Sequence, residues 1–254
     1  MEPILKVSNL TKVFSRSGQE DFTAVNSIRF SLNPGECLGI IGESGSGKTT
    51  AVNMITRLLD ATEGSILLDG EEITHLKGRE LRRVYRKMQM VFQTPTDSFD
   101  PRRTLGDGIG ESLRNIGMSR KETREEVERL LGKCGLPADF ADRYPHQVSG
   151  GQCQRAAIAR ALAVKPRLLI CDEATSALDV TVQKEILELL NELRSQQGNS
   201  LSILFICHDI SLVQQFCDRV LVMYHGSIVE EGVPDDVIGH PQNEYTQRLI
   251  DSIL

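Results

Sequence analysis

The sequence lacks an excess of positive charge. Its 29 lysine and arginine residues are outnumbered by 35 aspartate and glutamate residues, which gives a formal net charge of −6 at pH 7. Proteins that hold a nucleic-acid backbone do so mainly with basic side chains. The composition therefore argues against a DNA- or RNA-binding protein, although it leaves room for a local basic patch.

The sequence also lacks long apolar segments and a secretory leader. No window approaches about 18 consecutive apolar residues, the length that favours a membrane-spanning helix. Met1 is followed by Glu2 and Pro3 rather than by basic residues and an apolar stretch, which argues against a signal peptide. We expect a cytosolic protein unless a partner holds it at a membrane.

Cysteines are present, but none is spaced for a metal site. The six cysteines form no C-x-x-C pair, so a zinc or iron–sulfur site is not expected. Several lie in apolar runs, where a free cysteine behaves as a small hydrophobic residue. We interpret all of them as buried, reduced thiols: Cys37, Cys134, Cys153, Cys171, Cys207 and Cys217.

Short apolar runs alternate with helical patterns along the chain. Three runs, 37–41, 168–171 and 203–206, are almost wholly apolar, which is typical of strands buried on both faces of a parallel sheet. Further β-type runs lie at 5–7, 28–32, 65–68, 90–92 and 220–223. The alternation at both ends of the chain predicts an α/β fold.

Helical patterns occupy the spaces between these runs. The middle of the chain, at 95–155, is helix-prone and poor in strands, so we predict a helical insertion into the α/β core. The turn at 224–227 predicts a hairpin. The predicted helices span 48–59, 119–134 with a capping box of Ser119 and Glu122, 153–164, and 183–197 ending at Gly198.

A glycine-rich loop joins a predicted strand to a predicted helix. Residues 42–49 fit G-x-x-x-x-G-K-[ST], and this context is that of a phosphate-binding loop. Glycines let successive backbone N–H groups curl around phosphate oxygens, and the helix adds the positive end of its dipole. Lys48 would reach the β- and γ-phosphates, and the Thr49 hydroxyl would ligate Mg²⁺. The predicted ligands are ATP and Mg²⁺, held by Gly42, Glu43, Ser44, Gly45, Ser46, Gly47, Lys48, Thr49 and Thr50.

Two carboxylates follow the apolar run 168–171. Asp172 at the strand tip suits an Mg²⁺ site, directly or through water. Glu173, the next residue, can polarise an attacking water. An acidic pair is also common at an ordinary strand end, so the phosphate loop is what favours the functional interpretation.

A second candidate anion site lies at 148–152. A serine hydroxyl and glycine amides precede a predicted helix here, an arrangement that can bind an anion at the helix N-terminus. Alone, a Ser-Gly-Gly sequence usually marks only a helix start. The residues concerned are Ser149, Gly150, Gly151 and Gln152.

Together these motifs resemble the nucleotide-binding subunit of an ABC transporter, in the family's order and over nearly the whole chain. Residues 42–49 match its Walker A loop and 168–173 its Walker B strand. Residues 148–152 match its signature, with Val148 in place of the usual leucine. The resemblance implies an α/β fold with a RecA-like P-loop NTPase core, an N-terminal antiparallel β subdomain and an inserted helical subdomain.

The resemblance also implies how the chain is divided. We expect one ABC ATPase domain over 1–254. Its RecA-like and β core would comprise 1–93 and 156–230, its helical signature subdomain 94–155, and a short C-terminal tail 231–254.

Four more residues gain roles from the resemblance. Phe14 matches an aromatic residue that stacks on adenine, and Gln93 matches the Q-loop glutamine that touches Mg²⁺ and senses the γ-phosphate. His208 matches the switch histidine, and Asp179 belongs to the D-loop at 176–179. Taken singly, Phe14 and His208 could be core residues and Gln93 a surface residue. Their joint order and spacing support the functional roles.

The implied mechanism needs two subunits paired head to tail. Ser149 and Gly151 of one subunit would cap the γ-phosphate held by the other. Glu173 would then activate water and His208 would stabilise the transition state, with Lys48 and Gln93 completing the catalytic set. Whether the two subunits are identical or different stays open.

Two segments narrow the resemblance to the peptide and nickel importer group. Residues 94–102 resemble that group's Asp-Pro-x-x-Ser-Leu-Asn-Pro-Arg stretch, with departures at Thr94, Phe99 and Asp100. Residues 240–249 resemble its His-Pro-Tyr-Thr tail, with three extra residues. The importer group often carries a longer C-terminal extension with cysteines, which this sequence lacks. In this respect the chain resembles the nickel or metallophore members more than the long oligopeptide members.

This narrower resemblance implies a set of partners. It indicates a subunit that powers import of peptides, nickel or a metal chelate, at the cytoplasmic face of the inner membrane. A permease would contact 94–105 and Tyr144, and an extracytoplasmic solute-binding protein would act indirectly. The transported solute stays open.

Three rival functions share parts of this pattern. An exporter ATPase has the same catalytic residues and differs only at 94–102 and in the tail. A soluble ABC ATPase acting on nucleic acid would carry a long coiled coil or a second cassette, which 254 residues do not accommodate. A non-hydrolysing regulatory module would lack Glu173, Lys48 or His208, and all three are present.

Overall fold

Strands and helices alternate in the computed structural model, which describes residues 2–15, 18, 20–176, 178–195 and 201–252. The strands are β1 (Leu5–Phe14), β2 (Phe22–Leu32), β3 (Cys37–Ile41), β4 (Glu63–Leu68), β5 (Glu71–Glu72), β6 (Met88–Val91), β7 (Leu168–Asp172), β8 (Ser202–Ile206), β9 (Arg219–Tyr224) and β10 (Ser227–Gly232). The helices are α1 (Lys48–Ile55), α2 (Gly78–Val84), α3 (Leu105–Asn115), α4 (Arg120–Lys133), α5 (Gly150–Leu162), α6 (Val180–Ser195), α7 (Ile210–Phe216), α8 (Pro234–Gly239) and α9 (Glu244–Asp251).

The larger sheet has the strand order β10-β9-β3-β8-β7-β6. Its strands from β9 to β6 are parallel, and β10 pairs antiparallel with β9. Every residue of β3, β7 and β8 is buried, because helices cover both faces of a parallel sheet. The three nearly all-apolar runs therefore form central strands, as predicted.

The smaller sheet is antiparallel and has the order β2-β1-β4-β5. The long pair of β1 and β2 runs from Leu5 opposite Leu32 to Phe14 opposite Phe22. Its inner face joins the core beneath α1, where Leu5, Val25 and Ile55 are buried. The N-terminal antiparallel β subdomain is confirmed, and so is the hairpin, where Ser227 lies opposite Tyr224.

The segment between β6 and β7 is helical, as predicted. It contains α3, α4 and α5, with short 3-10 turns at Pro95–Ser98, Ala138–Asp142 and Pro145–Gln147. Buried apolar side chains such as Ile109, Val127 and Leu131 unite these helices. The subdomain limits at 93, 155 and 230 stay predictions, and α5 runs continuously across the limit at 155.

Three helix limits differ from those predicted. Helix α1 ends at Ile55 rather than at 59, because Arg57 adopts a left-handed conformation with φ 61°, which an α-helix cannot continue through. The helix predicted from 153 begins at Gly150, since Ser149 caps it. Helix α6 begins at Val180 rather than at 183. Its predicted end at Gln197 and Gly198 lies outside the described residues.

All six cysteines are buried. Among the described residues, no group of three histidine, cysteine or acidic side chains could hold a metal ion by itself. None of the helices in the described part of the chain is both long enough and apolar enough to cross a membrane.

Candidate nucleotide site

The glycine-rich loop connects β3 to α1 and needs glycine for two physical reasons. Gly42 and Gly47 have φ values of 148° and 105°, in the region that side chains rarely adopt. Backbone also approaches both of them closely. An added Cβ would lie 2.2 Å from the Met223 carbonyl oxygen at Gly42, and 2.6 Å from the Ala24 carbonyl oxygen at Gly47. The loop is thus supported from beneath by β2 and by the end of β9.

The first turn of α1 presents unpaired backbone amides. Its N-cap is Gly47, which has no side chain to accept a hydrogen bond from them. The helix also has no acidic residue in its first turn. The partial positive charge of the helix start is therefore available to an anionic ligand.

Lys48 is folded over the loop that it follows. Only 4% of the residue is exposed, and its Nζ donates to the carbonyl oxygens of Gly42 at 2.8 Å and Glu43 at 2.9 Å. Burial lowers the pKa of Lys48, and the nearby Glu173 and Asp172 oppose that shift. The ammonium group is thus held at the loop by weak neutral acceptors that phosphate oxygens can replace.

A cleft of about 280 Å³ opens beside this loop and gathers residues from distant parts of the chain. The strands β3, β7 and β8 are neighbours, and their carboxyl ends lie at one edge of the sheet, where ligands of open α/β sheets bind. The cleft is lined by Phe22, Ala24, Ser44, Gly45, Gly47, Lys48, Thr49, Thr50, Glu173 and His208. Four predicted side chains, Lys48, Thr49, Glu173 and His208, are therefore brought together.

Asp172 ends β7 as a buried carboxylate with an unpaired oxygen. The residue is 9% exposed, and its Oδ1 atom is buried without a hydrogen-bond partner. Burial, and secondarily the charge of Glu173, raises the pKa of Asp172 to about 6. An orphaned carboxylate oxygen and a threonine hydroxyl are both oxygen ligands of the kind that a hard divalent cation prefers, so the chemistry of Asp172 and Thr49 fits the predicted Mg²⁺.

Glu173 and His208 contact each other, with His208 Nε2 against Glu173 Oε1. Glu173 has a left-handed backbone, with φ 50°, and its amide donates to the Ile206 carbonyl at 3.0 Å. The end of β8 therefore fixes the residue that comes directly after β7. The two side chains form an acid–base pair at the cleft.

Gln93 lies beside this pair rather than among the residues that line the cleft. Its Nε2 donates to Ser176 Oγ at 3.2 Å, and that hydroxyl donates to the Glu173 carbonyl at 3.0 Å. The glutamine after β6 is thus linked to the segment that carries Glu173. Its predicted contact with Mg²⁺ stays a prediction.

The signature residues lie outside the cleft. Ser149 Oγ accepts from the Gln152 amide at 3.3 Å, and the Ser149 amide donates to Gln152 Oε1 at 2.9 Å, which completes a capping box for α5. Gly150 and Gly151 form the first turn. Ser149 and Gly150 are exposed, and neither of them lines the cleft beside the phosphate loop of its own chain.

Asp179 is also exposed and lies outside the cleft. Its Oδ1 accepts from the Val182 amide at 3.0 Å at the start of α6. The neighbouring Ala177 of the predicted D-loop lies outside the described residues. The predicted nucleotide contact of Asp179 stays a prediction.

The aromatic residue in the cleft is not the one predicted. Phe14 ends β1, where Lys12 Nζ lies 5.1 Å from its ring centroid, whereas the opposite residue Phe22 lines the cleft and is 63% exposed. The sequence analysis missed Phe22 because it began β2 six residues later, at 28. No local sequence pattern marked Phe22, because it reaches the cleft through the pairing of β2 with β1. The role of Phe14 stays a prediction.

Known proteins resemble the chain over most of its length. The ABC transporter family model matches residues 25–176. The oligopeptide transport ATP-binding protein OppF of Escherichia coli strain K12 is 45% identical over 91% of this chain and 69% of its own length. For AppF of Bacillus subtilis strain 168, also an oligopeptide transport ATP-binding protein, the identity is 45% over 99% of this chain and 78% of that protein.

A solved structure extends the likeness to three dimensions. The dimeric, post-hydrolysis ATP-binding cassette MJ0796 bound to ADP and Pi superposes with a TM-score of 0.82 and 32% identity. The match covers 91% of this chain and 98% of that one. The RecA-like core with its β and helical subdomains is therefore that of an ATP-binding cassette.

Replacing Gly47 by alanine should abolish tight ATP binding, because the added methyl group meets the Ala24 carbonyl and distorts the loop. The matched control is Gly117→Ala, which has a similar φ of 96° but no atom within 4 Å of the added Cβ. Both variants carry about 1–2 kcal/mol of backbone strain. A difference in ATP affinity between them therefore reports the distortion of the loop and not the strain alone. Equilibrium binding of ATP to the full chain measures the difference. Equal affinity in both variants would contradict the assignment of the loop.

Replacing Asp172 by asparagine should stabilise the metal-free protein in a pH-dependent way. The pKa of Asp172 is about 6 in the folded chain, against an ordinary value of 3.8. Above pH 6 the folded protein therefore carries a buried negative charge at Asp172. That charge costs less free energy in the unfolded chain, where water solvates it. Asp172→Asn should raise the free energy of unfolding by on the order of 2 kcal/mol near pH 7.5.

The same gain should shrink as the pH falls below 6 and vanish only well below pH 3.8, where the carboxyl group is protonated in both states. Urea unfolding in the presence of a chelator, at several pH values, measures it. Asp251→Asn, at an exposed position, serves as the control. A gain that is constant with pH would show that burial of charge at Asp172 is not its cause.

Proposed function

Because this chain belongs to the ABC transporter family, we propose that it is the ATP-hydrolysing subunit of an importer that carries peptides into the cell. The observation that carries the proposal is the meeting of Glu173 and His208 in the same cleft as Lys48 and Thr49. A cleft with a phosphate loop and an acid–base pair has the parts that phosphoryl transfer to water requires.

Each of these residues has a distinct task. Lys48 exchanges the carbonyl oxygens of Gly42 and Glu43 for the β- and γ-phosphates of ATP. Glu173 accepts a proton from the attacking water, and His208 holds Glu173 in place and donates to the developing negative charge. Both lie at strand ends that the sheet fixes, so little motion is needed to position them.

Mg²⁺ would be held by Thr49 and Asp172, with Gln93 as a further candidate. When bound, the ion neutralises charge that builds up on the phosphates. The unpaired Oδ1 of Asp172 supports this assignment, since the ion would satisfy an otherwise orphaned buried atom.

The complete site is formed by two subunits. Ser149, Gly151 and Asp179 lie outside the cleft of their own chain, so they are available to the nucleotide of a second subunit. The first-turn amides of α5 suit the γ-phosphate. The dimeric ATP-binding cassette MJ0796 supports pairing of two cassettes, and the proposed arrangement of the pair is head to tail. The second subunit is an ABC ATPase, either identical or different.

The transported solute is proposed from the relatives. Both OppF and AppF are named as oligopeptide transport proteins, which supports peptides. Nickel or a metal chelate also fits the sequence pattern at 94–102, but neither of these relatives supports it. A solute-binding protein outside the cell would deliver the solute to the permease.

The permease is proposed to contact residues 94–105 and Tyr144. A cleft of about 290 Å³ lies here between the 3-10 turn at Pro95–Ser98 and the helices α3 and α5. Charged side chains line it, and those of Asp100, Arg103 and Glu111 are exposed. Such groups suit a partner segment that supplies hydrogen bonds and complementary charge. This contact would place the subunit at the cytoplasmic face of the inner membrane.

Replacing Glu173 by glutamine should leave ATP binding within about twofold and lower hydrolysis by about 100-fold or more, because the amide cannot accept the proton from water. Phosphate release and equilibrium ATP binding, both measured on the full chain, separate the two effects. Glu188→Gln, at an exposed position on α6, is the control and should retain wild-type turnover. Turnover by Glu173→Gln close to that of the wild type would refute its assignment as the base.

A photo-crosslinking side chain at Arg102 should label a membrane subunit in membranes of the cell that makes this protein. Position Lys121 is the control, since both side chains are 88% exposed but Lys121 lies on α4. Labelled permease from position 102 alone supports the proposed contact. Labelling from 121 alone, or equally from both, would rule it out.

A further inference from the structure

The C-terminal helix α9 reaches back to the phosphate loop. The amide of Glu43, the second residue of the loop, donates a hydrogen bond to the Tyr245 hydroxyl at 3.0 Å. The two residues are 202 positions apart in the chain. This contact therefore ties the tail to the phosphate loop, although neither Glu43 nor Tyr245 lines the cleft.

Tyr245 is held rigidly in its place. Only 4% of the residue is exposed, and its ring stacks on Tyr224 with centroids 3.9 Å apart and an interplanar angle of 26°. Its own amide donates to Asn243 Oδ1 at 2.8 Å, and the Asn243 amide donates to Glu230 Oε2 at 3.2 Å. The phenol oxygen is thus set by β9, β10 and the cap of α9, and not by the loop that it contacts.

The loop has two ties to this part of the molecule. The Gly226 amide in the β9–β10 turn donates to the Ser46 carbonyl at 2.9 Å, which holds the second half of the loop. The Tyr245 hydroxyl holds the first half at Glu43. The Glu43 carbonyl oxygen accepts from Lys48 Nζ at 2.9 Å and from the Ser46 amide at 3.1 Å, and both of these donors belong to the loop itself.

The lysine contact is temporary if the proposed function holds, because Lys48 must turn from Glu43 toward the phosphates of ATP. When it does so, the Glu43 carbonyl keeps its bond to the Ser46 amide within the loop, and the Tyr245 hydroxyl is the contact that ties the residue 43 backbone to the protein outside the loop. A loop that is free to drift is competent to bind only part of the time, which raises the apparent dissociation constant by the reciprocal of that fraction.

We propose that Tyr245 is a positioning residue, which holds the Glu43 amide so that the phosphate loop is preformed for ATP. This inference rests on the proposed function, since it assigns a role at the same nucleotide site. It gives the tail beyond β10 a part in nucleotide affinity, through a single hydroxyl group.

The test is to replace Tyr245 by phenylalanine, which keeps the stacked ring and removes only the hydroxyl. The dissociation constant for the non-hydrolysable ATP analogue AMP-PNP with Mg²⁺ should rise about threefold to tenfold, the range expected for one net hydrogen bond. The KM for ATP should rise similarly, while kcat at saturating ATP should stay within about twofold, because ATP then selects the competent loop.

Tyr224→Phe is the matched control. It removes a hydroxyl from the other ring of the same stack, and that hydroxyl has no hydrogen bond among the described residues. Equilibrium titration of the full chain should therefore show wild-type affinity for Tyr224→Phe. Thermal unfolding without nucleotide reports any general loss of stability in either variant.

Each outcome decides the matter. Weaker binding by Tyr245→Phe alone, with a raised KM and a preserved kcat, supports the positioning role. Wild-type affinity in Tyr245→Phe, or an equal loss in both variants, overturns it, even if a lower melting temperature shows a structural role. Lys48→Ala tests the proposed nucleotide site itself, independently of Tyr245. If this variant binds AMP-PNP as the wild type does, the proposed nucleotide site is wrong.

Discussion

Parallel pairing of β3, β8 and β7 is the constraint on which the site depends. The register places Ile40 beside Ile206 and Ile206 beside Asp172, so the three strands end level with one another. The segments that leave these strand ends must then emerge at the same edge of the sheet. The phosphate loop, Glu173 and His208 meet there because of backbone hydrogen bonds far from any ligand, and a slip of register would separate them.

Lys48 and Asp172 are buried charges of opposite sign that do not fully satisfy each other. Burial lowers the pKa of Lys48 and raises that of Asp172 to about 6, so each group is driven toward its neutral form. Lys48 is compensated by loop carbonyls, whereas Asp172 keeps an unpaired oxygen. A polyanion together with a divalent cation would offer each of them a stronger partner, so the proposed binding of ATP with Mg²⁺ would offset the desolvation cost of burying both groups.

The parts of this site that local chemistry determines could be predicted from the sequence. An all-apolar run such as 37–41 has few alternatives to a central strand, and Gly42 to Thr49 carry their own backbone requirements. Phe22 and Tyr245 could not be placed in this way. Phe22 reaches the cleft through the pairing of β2 with β1, and Tyr245 reaches the phosphate loop through its stacking on Tyr224 at the end of β9. Their neighbours are distant in the chain, so no local pattern reports them.

The capping box of Ser149 makes this helix start stable by itself and still leaves a donor for the partner's nucleotide that we propose it contacts. The Ser149 oxygen uses a lone pair to accept from the Gln152 amide, which fixes its rotamer while leaving its own proton free to donate. Val182 of α6 packs against Gly151, where an added Cβ would lie 2.5 Å from Val182 Cγ1. Helix α6 follows the segment that comes directly after Glu173. If the proposed function holds, the surface offered to a partner's nucleotide is packed directly against the element that leads from the proposed base, so a change at one site has a short physical route to the other.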